Sequence, residues 1–111
     1  MRTLSAMLAI LAADAALAQV ADGTYDAPVC AGRSGGEMRV EIADNTIQFY
    51  ESLCRLDAAR TIPGFATARL YDATCSGEGE TWTMTMILMQ GFDGELIRIE
   101  EGLAVTYARC D

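Results

Sequence analysis

Carboxylates are the main side chains of this sequence that are suited to acid–base chemistry. The chain has no histidine and no lysine, and its eight basic residues are all arginine. It therefore lacks the imidazole that activates a serine or cysteine nucleophile and the amine that forms a Schiff base. Two carboxylates held about 5–10 Å apart in a cleft can hydrolyse a glycoside. The candidates for such a pair are Glu51, Glu78 and Glu80.

Neither a catalytic site nor a metal site is predicted from the remaining residues. So small a domain has little wall from which to build a sugar-sized groove, and glycoside hydrolysis ranks third among the functions considered. Met84 and Met86 share one strand face, and thioethers bind Cu(I), but methionine at this spacing usually fills a core. No EF-hand spacing for Ca²⁺ is present. We expect a non-enzymatic protein without cofactor or metal.

The segment with the most distinctive composition is Cys75-Ser76-Gly77-Glu78-Gly79-Glu80-Thr81-Trp82. Its two glycines permit positive φ or a close approach of the backbone. We therefore predict a tight exposed loop with an aromatic side chain at its base. The alternative is a turn that only positions Cys75 for a disulfide. The predicted binding surface combines this loop with two residues near Cys54: Ser76, Gly77, Glu78, Gly79, Glu80, Trp82, Glu51 and Tyr50.

This segment resembles a loop of a known inhibitor family. The pattern Ser76-Gly77-x-Gly79-x-x-Trp82 is similar to the Ser-Gly-x-Gly-x-x-aromatic loop of the bacterial c-type lysozyme inhibitors. Those proteins are small exported β-barrels that insert this loop into the lysozyme cleft, so the resemblance implies an inhibitor-like function against a basic target. In that family a second loop, with Thr-Lys-Gly, supplies a lysine. The matching place here, Met89-Gln90-Gly91-Phe92, contains none.

A wider pattern points to a cell compartment. Phe49-Tyr50-Glu51-Ser52-x-Cys54, taken with Cys75 to Trp82, looks like small periplasmic proteins of proteobacteria with no assigned activity. The N-terminus agrees, because Arg2, the apolar run from Leu4 to Ala13 and the small-x-small triplet ending at Ala18 are typical of an export signal. We predict a helical signal peptide at 1–18 and one mature domain at 19–111, periplasmic or secreted. An uncleaved anchor is the alternative.

Four cysteines predict two disulfides. An even number of cysteines in a short exported chain is typical of a disulfide framework, and the spacing fits no metal knuckle or redox motif. Four cysteines allow three pairings. We favour Cys54–Cys75 with Cys30–Cys110, and sequential pairing of Cys30 with Cys54 and of Cys75 with Cys110 remains open.

The charge balance excludes some partners and favours others. Sixteen acidic against eight basic residues give a net charge of −8. Nucleic acids and anionic membrane surfaces need clustered positive charge, so neither is expected to bind. Attraction to a basic protein, or binding to a cell-envelope glycan, fits better, and we expect a monomer. The simpler alternative is that acidity only maintains solubility, in a structural or accessory envelope protein with no dedicated site.

The apolar pattern alternates, which is typical of half-buried strands. The clearest strand is Thr81–Met89, with threonines on one face and Trp82 among the apolar residues on the other. A hairpin turning at Asp44-Asn45 is predicted to place Met38, Val40, Ile42, Ile47 and Phe49 inward. The last two strands are predicted to place inward Ile97, Ile99, Leu103, Val105 and Tyr107.

The remaining segments complete the predicted fold. A strand is expected over Phe65–Thr74 after the Pro63-Gly64 turn, and a short first strand within Asp22–Val29. Ala31–Gly36 is predicted to be a loop, and Ser52–Arg60 is the one stretch that could form a helical turn. Six to eight strands in one small domain predict an all-β fold. An antiparallel barrel built as a meander is favoured over a sandwich, because closure removes exposed edges.

Overall fold

Each strand of the chain hydrogen-bonds to the next one along the sequence, and the last strand returns to pair with the first. This computed structural model describes residues 20–32 and 35–111, so the predicted signal peptide at 1–18 lies outside the described residues. In that part of the chain, no helix is long and apolar enough to cross a membrane. The strands are β1 Gly23–Asp26, β2 Val40–Ala43, β3 Thr46–Gln48, β4 Leu53–Ile62, β5 Phe65–Gly77, β6 Glu80–Gln90, β7 Leu96–Glu100 and β8 Leu103–Arg109.

The eight strands form a closed antiparallel barrel, which confirms the all-β prediction and decides it in favour of the barrel. Two of the predicted turns account for the meander. Asp44 and Asn45 have φ of 53° and 64°, the left-handed pair of a type I′ hairpin, whose twist matches that of the flanking strands. Gly64 has φ of 86° after Pro63, so this turn also follows from residues that favour it.

β4 corrects the prediction that Ser52–Arg60 could form a helical turn. The segment from Leu53 onward is strand, and its register with β5 shifts between Asp57 and Arg60. Ala58 has φ of 55° at this shift, which marks a β-bulge that accommodates an extra residue. The weak helical preference of this short stretch is overridden by pairing with β5, because isolated helices of this length are marginal in water.

The core lies inside the barrel, where alternate residues of the strands meet. The prediction for β6 is confirmed, since Met86 and Leu88 are fully buried while Thr83 and Thr85 are exposed. Two predicted core residues are wrong at strand ends. Met38 precedes β2 and is 44% exposed, and Leu103 begins β8 and is 46% exposed. Trp82 at the start of β6, also predicted to point inward, is 38% exposed. The inward predictions for the β2–β3 hairpin and for β8 otherwise hold, with these residues in or packed against the core: Val40, Ile42, Ile47, Phe49, Val105 and Tyr107.

β7 has the opposite orientation to the one predicted. Ile97 pairs with Met89 on the outer face, whereas Arg98 pairs with Leu88 and points inward. Leu96 and Arg98 are buried, and Ile97 and Ile99 are only half-buried. The sequence pattern misled because it assigns isoleucine rather than arginine to the core. Register with β6 decides the faces, since a shift of one residue would turn every side chain over.

Both disulfides have the favoured pairing. Cys54 and Cys75 are direct partners across β4 and β5, and both are buried in the core. Cys30 and Cys110 link the segment after β1 to the residue after β8. The first bridge therefore crosslinks two long neighbouring strands, and the second holds together the strands that close the barrel.

A buried carboxylate anchors the segment that carries Cys30. Asp26 is fully buried and accepts hydrogen bonds from the backbone N–H of Ala27 at 2.9 Å and of Ala31 at 3.1 Å. Arg39 forms an ion pair with it at 3.4 Å. Burial by itself raises the pKa of Asp26, but the hydrogen bonds from Ala31 and Ala27, the charge of Arg39 and a hydrogen bond from Gly36 together hold it below its ordinary value.

Candidate binding site at one end of the barrel

The predicted loop between Ser76 and Trp82 is a tight hairpin. Gly77 pairs directly with Glu80, so only Glu78 and Gly79 form the turn. Their φ angles are 50° and 83°, the values of a type I′ turn. The predicted tight loop is thus reduced to a two-residue turn, and most residues of the Ser76–Trp82 segment belong to the ends of β5 and β6. The hairpin remains exposed at its tip.

Gly77 is required because another part of the chain lies against it. A Cβ at this position would lie 2.5 Å from the carbonyl oxygen of Glu51 and 3.0 Å from the Cβ of Ser52. These two residues belong to the connection between β3 and β4, which is closed by a hydrogen bond from Phe49 N to Ser52 O at 2.7 Å. The absence of a side chain at Gly77 lets this connection rest on the β5–β6 hairpin.

Beside this contact lies an open cavity of about 310 Å³, which we call the rim cavity; its lining is Glu51, Ser52, Gly77, Glu78, Glu80 and Trp82. Residues that the sequence analysis selected on two separate segments thus meet around one space. The other three do not line it. Tyr50 is 64% exposed beside it, Ser76 is exposed on the outer barrel face and Gly79 lies at the turn. Ser52 was missed, because a lone serine gives no signal in the sequence.

Two carboxyl groups of the rim cavity are in direct contact. The pKa of Glu51 is raised, chiefly by a side-chain hydrogen bond with Glu78, then by the charge of Glu78, by partial burial and by the charge of Glu37. The raised pKa means that ionisation of Glu51 is less favourable beside Glu78 than in water. The lining residues include no basic side chain.

A second, more open cavity of about 250 Å³ adjoins the first and is lined mainly by residues that face into the barrel; we call it the inner cavity. It shares Ser52 and Trp82 with the rim cavity, so Trp82, which is 38% exposed, stands between them. The sequence pattern does not predict that Arg98 and Glu100 line this cavity, because it assigns Ile97 and Ile99 to the core. The rest of its lining is Phe49, Cys54, Met84, Met86, Arg98 and Glu100.

The second segment considered in the family resemblance lies elsewhere. Met89 to Phe92 covers the end of β6 and the turn that follows it, whereas Trp82 lies near the start of the same strand. Met89 follows Trp82 by seven positions of extended strand, or roughly 23 Å at about 3.3 Å per residue. The surface around the hairpin is therefore completed by the β3–β4 connection and not by this segment.

Two further observations concern metal binding at the site and similarity to known proteins. Among residues 20–32 and 35–111, no group of three or more histidine, cysteine or acidic side chains is arranged to hold a metal ion. No protein-family model, curated protein or solved structure matches this chain. The interpretation of the site therefore depends on the contacts and charges of its own residues.

Proposed function

We propose that this chain is an exported, non-enzymatic binding domain that receives a basic side chain of a protein partner in the rim cavity. The observation that carries the proposal is the convergence of Glu51, Glu78, Glu80 and Trp82, from two separate segments, on one concave space. A concave site with a few convergent polar groups is the usual form of a binding pocket.

The chemistry of the rim cavity suits a lysine or arginine side chain. Glu51 and Glu78 repel each other when both are ionised, so a cation placed between them removes an unfavourable interaction and gains an ion pair. Trp82 adds an indole ring at the wall of the cavity, and a cation near an indole face gains about 0.5–2 kcal/mol. A neutral glycan would leave the paired carboxylates uncompensated, which is why we favour a protein.

The whole chain adds to this local preference. A net charge of −8 attracts a basic partner over several ångströms and raises the rate of encounter at low ionic strength. The two disulfides fit an oxidising compartment, so the periplasm or the extracellular space is the proposed location. The resemblance to c-type lysozyme inhibitors names one strongly basic partner to try first.

The direct test is titration of the mature domain, residues 19–111, with a c-type lysozyme at low ionic strength. Calorimetry measures binding, and an assay of lytic activity measures inhibition. We expect a complex of micromolar affinity or better whose strength falls as salt is added, because salt screens the charges. Absence of both binding and inhibition at micromolar concentrations would overturn the proposal for a lysozyme-like basic partner.

A pair of matched variants assigns the binding to the rim cavity. Replacing both contacting carboxylates, Glu51→Gln with Glu78→Gln, is expected to weaken the complex at least tenfold. The control is a charge-neutralising change elsewhere, Asp44→Asn, which keeps a residue that tolerates the left-handed turn between β2 and β3. Equal weakening by both would show that only overall charge matters and would argue against the site.

A further inference from the structure

The charged residues of β7 point into the barrel, while its two isoleucines lie on the outer face. Arg98 is 7% exposed, and Glu100 follows it on the same inward-facing side. Removing a guanidinium from water is unfavourable unless its charge and its N–H groups find partners. An arginine in this position therefore has to be explained by what surrounds it.

The partners of Arg98 hold it in one orientation. Its Nε donates a hydrogen bond to the hydroxyl oxygen of Tyr107 at 2.9 Å, and Nη1 forms an ion pair with Glu100. The guanidinium also lies over the ring of Phe49, 4.8 Å from its centroid. Within residues 20–32 and 35–111, Nη2 donates no hydrogen bond. Since Arg98 lines the inner cavity, this edge of the guanidinium is available to a ligand.

The inner cavity has the size and the walls of a site for a small planar molecule. Its volume of about 250 Å³ is below the range of roughly 300–1,000 Å³ that accommodates drug-sized ligands. Trp82, Met84 and Met86 form apolar walls, and thioethers pack favourably against aromatic rings. Arg98 and Glu100 supply a hydrogen-bond donor next to an acceptor.

We propose that the inner cavity binds a small, uncharged aromatic amide. Its ring packs between Trp82 and Met84, its carbonyl oxygen accepts a hydrogen bond from Arg98 Nη2, and its N–H donates to Glu100. The charges select a neutral ligand. Arg98 and Glu100 already neutralise each other as an ion pair, so a charged ligand would lose its hydration in the inner cavity without gaining an unpaired counter-charge. This proposal does not depend on the proposed binding of a basic protein.

Three probes of nearly equal size test the charge selectivity: benzamide, benzoate and benzylamine. Trp82 is the only tryptophan of the chain, so its indole N–H gives a single assigned signal in a ¹⁵N-resolved NMR spectrum of the mature domain. Because Trp82 also lines the rim cavity, the three probes are compared in the double rim variant, Glu51→Gln with Glu78→Gln, which removes the proposed cation site. In this variant we expect benzamide to shift the signal saturably, with a dissociation constant on the order of 1 mM, and the two charged probes to bind at least tenfold more weakly. Equal responses to all three probes would overturn the proposal.

Variants on one strand locate the binding. Met84→Phe fills the cavity while remaining apolar and is expected to reduce benzamide binding at least tenfold, whereas Thr83→Ala, on the outer face of β6, leaves it unchanged. Thermal unfolding confirms that both variants fold. Benzamide binding that survives Met84→Phe would place the probe outside the barrel and refute the proposal. The double rim variant, Glu51→Gln with Glu78→Gln, is expected to retain benzamide binding, which separates this site from the rim cavity.

Discussion

Glu78 concentrates two unfavourable features in one residue. It has φ of 50° at the first central position of the β5–β6 turn, where asparagine, aspartate or glycine is preferred, and non-glycine residues in left-handed regions cost of order 1–3 kcal/mol. Its carboxyl also contacts that of Glu51 and raises the pKa of the latter. Residues that reduce stability at a surface cavity are characteristic of sites kept for function.

The contact between these carboxylates predicts a pH-dependent gain in stability on substitution. The raised pKa of Glu51 means that the folded state releases this proton less readily than the unfolded chain. The native protein therefore loses stability as pH rises through the folded pKa, and the penalty is absent below the ordinary carboxyl pKa of about 4.3. Glu78→Gln is expected to raise Tm at pH 7, and the gain is expected to vanish near pH 3.5.

Circular dichroism melts at the two pH values measure this difference. Glu41→Gln, which removes one exposed charge from the outer face of β2, is the matched control for net charge. If it raises Tm at pH 7 as much as Glu78→Gln does, the gain comes from overall charge and not from the contact with Glu51.

At the scale of the element, the orientation of β7 is set by its pairing with β6 and differs from the orientation that its sequence pattern predicts. The sequence Leu96-Ile97-Arg98-Ile99-Glu100 alternates apolar and polar residues only if its first leucine is ignored. Leu96 pairs with Gln90 and Tyr107 and is completely buried. Its burial fixes the orientation of the strand, and the isoleucines consequently lie outside against Met89 and Ile87.

This orientation predicts unequal effects of two neighbouring substitutions. Leu96→Ala removes buried methyl groups from a packed interior and is expected to cost about 2–5 kcal/mol of unfolding free energy. Ile97→Thr keeps a β-branched residue on the half-buried outer face and is expected to cost about 1 kcal/mol or less. Urea denaturation of both variants measures the difference. A larger loss from Ile97→Thr would mean that β7 is oriented as the sequence pattern suggested.

At the scale of the whole molecule, closure of the barrel depends on short pairings. β1 meets β8 through only two registered pairs, Tyr25 with Arg109 and Asp26 with Ala108. The Cys30–Cys110 bridge spans 80 residues of sequence at this seam. A crosslink over so long a loop restricts the unfolded chain strongly, by about 4 kcal/mol in the chain-entropy model.

Removing this bridge is therefore expected to destabilise the protein without changing its fold. Cys30→Ser with Cys110→Ser is predicted to lower the unfolding free energy by about 4 kcal/mol, while far-ultraviolet circular dichroism remains that of a β protein. The Cys54–Cys75 bridge closes a loop with a sequence separation of 21 residues. Its removal by Cys54→Ala with Cys75→Ala is therefore expected to lower the unfolding free energy by about 3 kcal/mol from the loop alone. A loss below 1 kcal/mol for the first pair would show that strand pairing closes the barrel unaided.

The sequence by itself determined the features that depend on local chemistry. Alternation in β6 and the turn residues Asp44-Asn45 and Pro63-Gly64 predicted an all-β fold, with a barrel favoured over a sandwich. The cysteines predicted two disulfides and favoured the observed pairing, but left sequential pairing open. The composition of the Ser76–Trp82 segment also marked the end of the barrel where the rim cavity lies. These signals are local, because backbone conformation and side-chain periodicity follow from residues adjacent in the chain.

Only the tertiary structure decided which distant residues meet. The bare backbone of Gly77 allows Glu51 to approach Glu78, and strand register, not hydrophobicity, turns Arg98 and Glu100 into the barrel. Both outcomes depend on pairing between segments far apart in sequence, which no local pattern encodes. The sequence pattern therefore did not predict the inner cavity. Its charged lining residues, Arg98 and Glu100, lie at positions that periodicity alone assigns to the outer face.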